Sequence, residues 1–165
     1  HVVAVGECGL DYHWPVPKDA QLAMFEAHLA LAAKHGMPVL VHDREAHADT
    51  YALLAQYRPK GIVHCFSGSA PDAVRLAEQG MYIGFGGVLT FANARKTVEA
   101  AAALPLERIV LETDCPYMAP VPFRGKRCDS GMILHVAQKL SEIHAKPVEE
   151  ILAVTEQNAR TLFQV

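Results

Sequence analysis

Gly36-Met37-Pro38-Val39-Leu40-Val41-His42 holds the end of one element and the whole of the next. Upstream of it, Leu22, Phe25, Leu29 and Ala32 recur at helical spacing, and Gly36 stands where a helix-ending glycine belongs. Downstream, a β-branched run opens on a proline, which costs no ladder donor at a strand's first position, and closes on a histidine. The same figure recurs along the chain. The patterns predict strands over 2–5, 38–42, 62–66, 81–85 and 108–113. They predict helices over 18–35, 45–56, 71–79, 93–103, 130–144 and 147–163, with Ser69 capping the third and Gly80 closing it. Five strands alternating with helices predict a parallel α/β sheet with right-handed crossovers. The alternation alone does not separate an open doubly wound sheet from part of a (β/α)₈ barrel, which needs about 250 residues when whole.

The 165 residues are 51% hydrophobic with a net charge of −3, enough for one domain over 1–165 with a substantial core. No apolar run approaches the roughly 18 residues of a membrane span, and no basic start leads into an apolar signal segment. The four cysteines form no C-x-x-C pair, which predicts a reducing, cytoplasmic setting. Mild acidity argues against a protein that coats nucleic acid by charge. Nothing in the sequence calls for an obligate protein partner. The opening His1-Val2-Val3-Ala4-Val5 runs straight into a strand pattern, so the expectation is a chain cut at a strand.

The chemistry collects where strands end. The first is followed by Glu7, the second closes on His42, the third holds His64, and the fifth leads into Glu112 and Asp114. Parallel strands aim their C-terminal ends at one rim, so Glu7, His42, His64 and Asp114 are predicted to converge. Imidazole with carboxylate suits a divalent cation such as Zn²⁺ or Mn²⁺ and, less ideally, Mg²⁺. A single strand histidine is more often a packed core residue than a ligand, but four such groups at four strand ends are hard to reach by accident. Carboxylates there need partners, because unpaired buried acids are rare. Glu112, two residues before Asp114, shares its strand face and reads as support for a ligand or as an internal ion pair. His28, His35, His47, His135 and His144 fall on helices and read as solvated or packing residues. His13 lies in the loop after the first strand and is a candidate substrate contact. Cys8, Cys65 and Cys115 each follow a proposed site residue, and alternation predicts that they point away from the rim.

Four stretches, Gly6-Glu7-Cys8-Gly9-Leu10-Asp11-Tyr12, Pro38 through Arg44, His64-Cys65-Phe66-Ser67-Gly68-Ser69 and Leu111-Glu112-Thr113-Asp114-Cys115-Pro116-Tyr117, resemble the TatD-type deoxyribonucleases. Arg124-Gly125-Lys126-Arg127 and Thr155, Asn158, Ala159, Leu162 and Phe163 agree with the same family, so the resemblance spans nearly the whole chain. It implies a TIM-type barrel, here a partial one, one or two divalent cations (Mg²⁺, Mn²⁺ or Zn²⁺), and hydrolysis of DNA phosphodiesters, single-stranded or damaged. By the resemblance, Glu7 matches the carboxylate that bridges two cations, His42 and His64 match the ligands of one, and Asp114 matches a ligand of the other and the partner of the attacking water.

The family's first strand carries an H-x-H pair, and no H-x-H occurs here. The resemblance therefore implies missing N-terminal strands and weak or absent activity in the isolated chain. Arg127-Cys128-Asp129-Ser130 stands where the family usually has Arg-Asn-Glu-Pro. Arg124, Lys126 and Arg127 are candidates to grip phosphates, as is Ser67 at a helix start, although a solvated loop and plain capping are the commoner fates. Two rival readings remain: another amidohydrolase-like enzyme acting on C–N or ester bonds, and a non-catalytic fragment. Many amidohydrolases bridge two metals with a modified lysine, and no predicted strand here ends in lysine.

Overall fold

The strands form one parallel sheet in chain order, with no reversal along it. A doubly wound sheet would reverse direction at a switch point; an unbroken run of neighbours is the order of barrel strands. The computed structural model describes residues 2–165. Its strands are β1 (Val5–Asp11), β2 (Val39–Arg44), β3 (Gly61–Val63), β4 (Met81–Phe85) and β5 (Ile109–Leu111). The helices are α1 (Lys18–His35), α2 (His47–Tyr57), α3 (Ala70–Glu78), α4 (Arg95–Ala103), α5 (Ile133–His144) and α6 (Val148–Phe163). The sheet does not close, and β1 and β5 are its edges.

Local signals act as the sequence predicts at several ends. Gly36 takes φ 63° and ends α1. Ser69 and Asp72 form a reciprocal capping box at α3, with proline in the first turn. Other boundaries move. The first strand runs over Val5–Asp11 instead of 2–5, because its ladder with β2 begins at Val5 opposite Val39; Val2 stays 74% exposed. β3 and β5 each stop after three residues, so His64 and Glu112 lie just past the ladder, not within it.

The main core lies between the sheet and its helices. Leu10, Val39, Val41, Val63 and Ile83 meet Phe25, Leu29, Leu54 and Leu76 there, all buried. Alternation sends Ile62 and Val110 to the other face, where Leu162 and Phe163 of α6 cover them. Among the described residues no helix is long and apolar enough to cross a membrane.

Candidate metal centre

β1 and β2 approach closely because Gly6 and Gly9 face them: a Cβ on Gly9, whose φ is 149°, would lie 2.0 Å from the His42 carbonyl oxygen. In this pairing Gly9 lies opposite His42 and Asp11 opposite Arg44. Two residues further along β1, Asp11 reaches the His42 ring with its Oδ2 at 3.1 Å from Nε2.

Glu7 sits between the two histidines. Its Oε1 is 2.9 Å from His42 Nδ1 and 3.7 Å from His64 Nε2. Asp114 Oδ1 lies 3.9 Å from the same His64 nitrogen. Each imidazole gives its other nitrogen to a further carboxylate. His42 Nε2 is 3.1 Å from Asp11 Oδ2, and His64 Nδ1 is 2.9 Å from Glu112 Oε2. In the neutral rings, with those outer N–H groups donating, His42 Nδ1 and His64 Nε2 carry the lone pairs turned toward Glu7, the tautomers a metal ligand needs. Without a cation, His64 keeps a second proton on the Nε2 that faces Glu7. One ligand atom from each of Glu7, His42 and His64 lies within 4.8 Å of the others, so three strands supply one cation-sized cluster.

Glu112 is fixed from two more sides. Its Oε1 accepts from the Cys65 N–H at 2.6 Å. Gly84 on β4 makes room for it, since a Cβ there would lie 2.9 Å from Oε2. Burial pulls the His64 imidazole down, but the hydrogen bond and charge of Glu112, with Glu7 and Asp114, outweigh it and hold the group at about 9. Burial pushes Asp114 above the usual carboxylate range; His64 pulls it back, while Glu7 and Glu112 raise it again. Among the described residues no lysine or arginine pairs with Glu7, Asp11, Glu112 or Asp114. Imidazoles are the only ionisable donors paired with these acids among the described residues, so the cluster attracts positive charge, and its donor set fits a borderline divalent cation.

The other sequence candidates separate. Ser67 lines the cavity of about 730 Å³ above Glu7, His42, His64 and Asp114. The His13 ring turns to Glu45, 3.2 Å away, and its neighbour Trp14 lines the cavity. Arg124 lies over the Phe91 ring at 4.2 Å and Lys126 over Phe123 at 5.8 Å. Arg127 lines a second cavity, of about 500 Å³, with Cys115 and Cys128. Cys8 is buried in the core as alternation predicts, whereas Cys65 lines the site cavity. Its φ of 44° turns the chain just after β3, so strand alternation no longer applies. Asp11 escaped the sequence reading. The signal for it was parity, since residues 7, 9 and 11 share a strand face once β1 is known to run that far.

The model of the family described as TatD related DNase matches residues 1–164. The chain belongs to that family. A relative in Bacillus subtilis, the uncharacterized metal-dependent hydrolase YabD, is 41% identical over 99% of this chain and 66% of its own length. The 3'-5' ssDNA/RNA exonuclease TatD of Edwardsiella piscicida is 39% identical over 99% of this chain and 66% of its own. Among solved structures, the Escherichia coli TatD homolog YjjV superposes with a TM-score of 0.92 at 36% identity, covering 99% of this chain and 64% of that one. The chain thus spans just under two thirds of the length of these TatD relatives. Its five parallel strands and their helices match part of the α/β barrel of these neighbours, with the sheet left open here, and the family is one of metal-dependent hydrolases.

Proposed function

We propose that this chain carries the cation-binding half of a phosphodiester hydrolase acting on single-stranded DNA. The observation that carries the reading is Glu7 Oε1 set between His42 Nδ1 and His64 Nε2, at 2.9 and 3.7 Å, with Asp114 beside them. Membership of a family with a relative named as a single-stranded DNA and RNA exonuclease supports the substrate class.

Glu7, His42 and His64 would hold one divalent cation, and Glu7 with Asp114 would contribute to a second. When bound, such a cation supplies Lewis-acid relief of the charge that develops on phosphoryl oxygens. The chain's own groups do the rest. Asp11 and Glu112 orient the imidazoles. Asp114, whose Oδ1 lies 3.9 Å from His64 Nε2 at the cavity, would accept the proton of the attacking water. Ser67 on the cavity wall offers a hydroxyl to the phosphate.

Manganese binding to the purified chain, followed by calorimetry, and hydrolysis of a 3'-labelled single-stranded oligonucleotide test this. Binding in the wild type and its loss in His64→Ala are expected, with chelator abolishing any hydrolysis. Equal manganese affinity in both proteins would remove the basis of the assignment.

A further inference from the structure

We propose that Trp14 and Tyr117 form an aromatic pair that holds unstacked bases of a single-stranded nucleic acid over the Glu7–His42–His64 group. The inference rests on the phosphodiesterase reading above and adds the residues that recognise the base.

Both rings line the 730 Å³ cavity, and both are largely in solvent, Trp14 at 59% and Tyr117 at 71% exposure. A volume of that order fits a small-molecule or nucleotide site. Neither ring belongs to the hydrophobic core. Large aromatics in that state stand out, because burial is their ordinary fate.

Neither is carried on a loose loop. The segment bearing Trp14 is tied down by the Tyr12 N–H to the Arg44 carbonyl at 2.9 Å and by the Tyr12 hydroxyl to Asp49 at 2.7 Å. The His13 N–H donates to Asp11 Oδ1 at 3.1 Å. The Tyr117 N–H donates to the Asp114 carbonyl at 2.7 Å. Each aromatic therefore stands three residues after a carboxylate of the site and is joined to it by a short turn. The backbone that sets Asp11 against His42 also sets Trp14 above it, and the turn that carries Asp114 carries Tyr117.

Charge argues for stacking as the source of affinity. The chain is net negative, and Arg44 is the only lysine or arginine among the described residues that line this cavity, against Glu7, Asp43 and Asp114. A basic groove of the kind that binds strands by their phosphates is absent from the cavity. Stacking on aromatic faces tolerates any base, and it discriminates against a duplex, whose bases are already stacked.

Trp14 is the single tryptophan of the chain, so its fluorescence reports the contact directly. The chain is titrated in Ca²⁺ with a thymidine tetranucleotide and with an abasic strand of equal charge. Saturable quenching by the thymidine strand is expected, with binding of the abasic strand at least about tenfold weaker, the loss of roughly one stacked base. Tyr117→Ala should weaken the thymidine strand by about tenfold and leave the abasic strand unchanged. Equal quenching by both strands, no quenching, or a Tyr117→Ala variant that binds thymidine as tightly as wild type would overturn the pair. Manganese binding by calorimetry, lost in His64→Ala, reports the phosphodiesterase reading separately, so either idea can fail while the other is still measured.

Discussion

Glu112 Oε2 lies 2.9 Å from His64 Nδ1, while its other oxygen accepts the Cys65 N–H at 2.6 Å. One carboxylate thereby sets both the tautomer of the imidazole and the backbone that carries it. An amide cannot do both. In Glu112→Gln, the amide oxygen satisfies the Cys65 N–H and the NH₂ faces His64 Nδ1, so the ring moves its proton to Nε2, the nitrogen that faces Glu7. We expect cation affinity to fall by about 10–100-fold with the fold intact. Nitrogen chemical shifts of His64 check the tautomer, and calorimetry with manganese checks the affinity.

Gly84 makes a related prediction from steric reasoning. A Cβ on it would meet Glu112 Oε2 at 2.9 Å and Cδ at 3.1 Å, closer than the carboxylate can tolerate in place. The obstacle is the far end of a side chain, so the carboxylate moves and the strand does not. Gly84→Ala should cost about 1–3 kcal/mol of stability and weaken cation binding clearly. A cooperative thermal melt, lowered but intact, together with weakened manganese binding is the expected pair of results. Unchanged affinity would mean that Glu112 has no part in the site.

Much of this arrangement was legible in the sequence, and the part that was not has physical reasons. The helical repeat of Leu22, Phe25 and Leu29 and the Gly36 stop located α1 to the residue, since cap and periodicity agreed. Glu7, His42, His64 and Asp114 were predicted to converge because parallel strands share a rim, and the structure brings them together. The extent of β1 was not legible. Gly6, Glu7 and Gly9 have poor strand propensity, and only pairing with β2 makes them a strand. Asp11 was lost with that boundary. The placement of Arg124, Lys126 and Arg127 was also hidden, because loop side chains settle against whatever packing offers, here the rings of Phe91 and Phe123 for the first two.

His144 sets a pH dependence. Its Nε2–H donates to the Ala101 carbonyl at 3.1 Å. Burial holds it below its ordinary value of 6.5, and the Ala101 contact only partly opposes that. The unfolded chain therefore takes up its proton at higher pH than the folded one, so stability declines as pH falls below about 6.5 and levels off below the folded value. His144→Gln keeps a donor for Ala101 without a titrating ring. Urea midpoints at pH 7.5 and pH 5 should differ less in the variant than in wild type. An equal difference would assign the slope to other groups.

Asn158 links the last helix to the strand that delivers the site acids. Its Nδ2 donates to the carbonyls of Leu106 at 2.7 Å and Ile109 at 2.8 Å, and the side chain is buried. Those carbonyls flank the start of β5, where α6 packs and where a short 3₁₀ turn over Leu106–Arg108 leaves backbone groups in need of partners. Three residues further along, β5 ends and Glu112 begins. Asn158→Ala leaves two buried carbonyls short of a donor and opens a small gap beneath the strand. The expected cost is about 2–3 kcal/mol, with Asn158→Asp no better because a carboxylate offers those oxygens no hydrogen. Urea unfolding of both variants measures it. Stability within about 0.5 kcal/mol of wild type in either would show that water replaces the amide and that β5 is held by its ladder and the α6 apolar face alone.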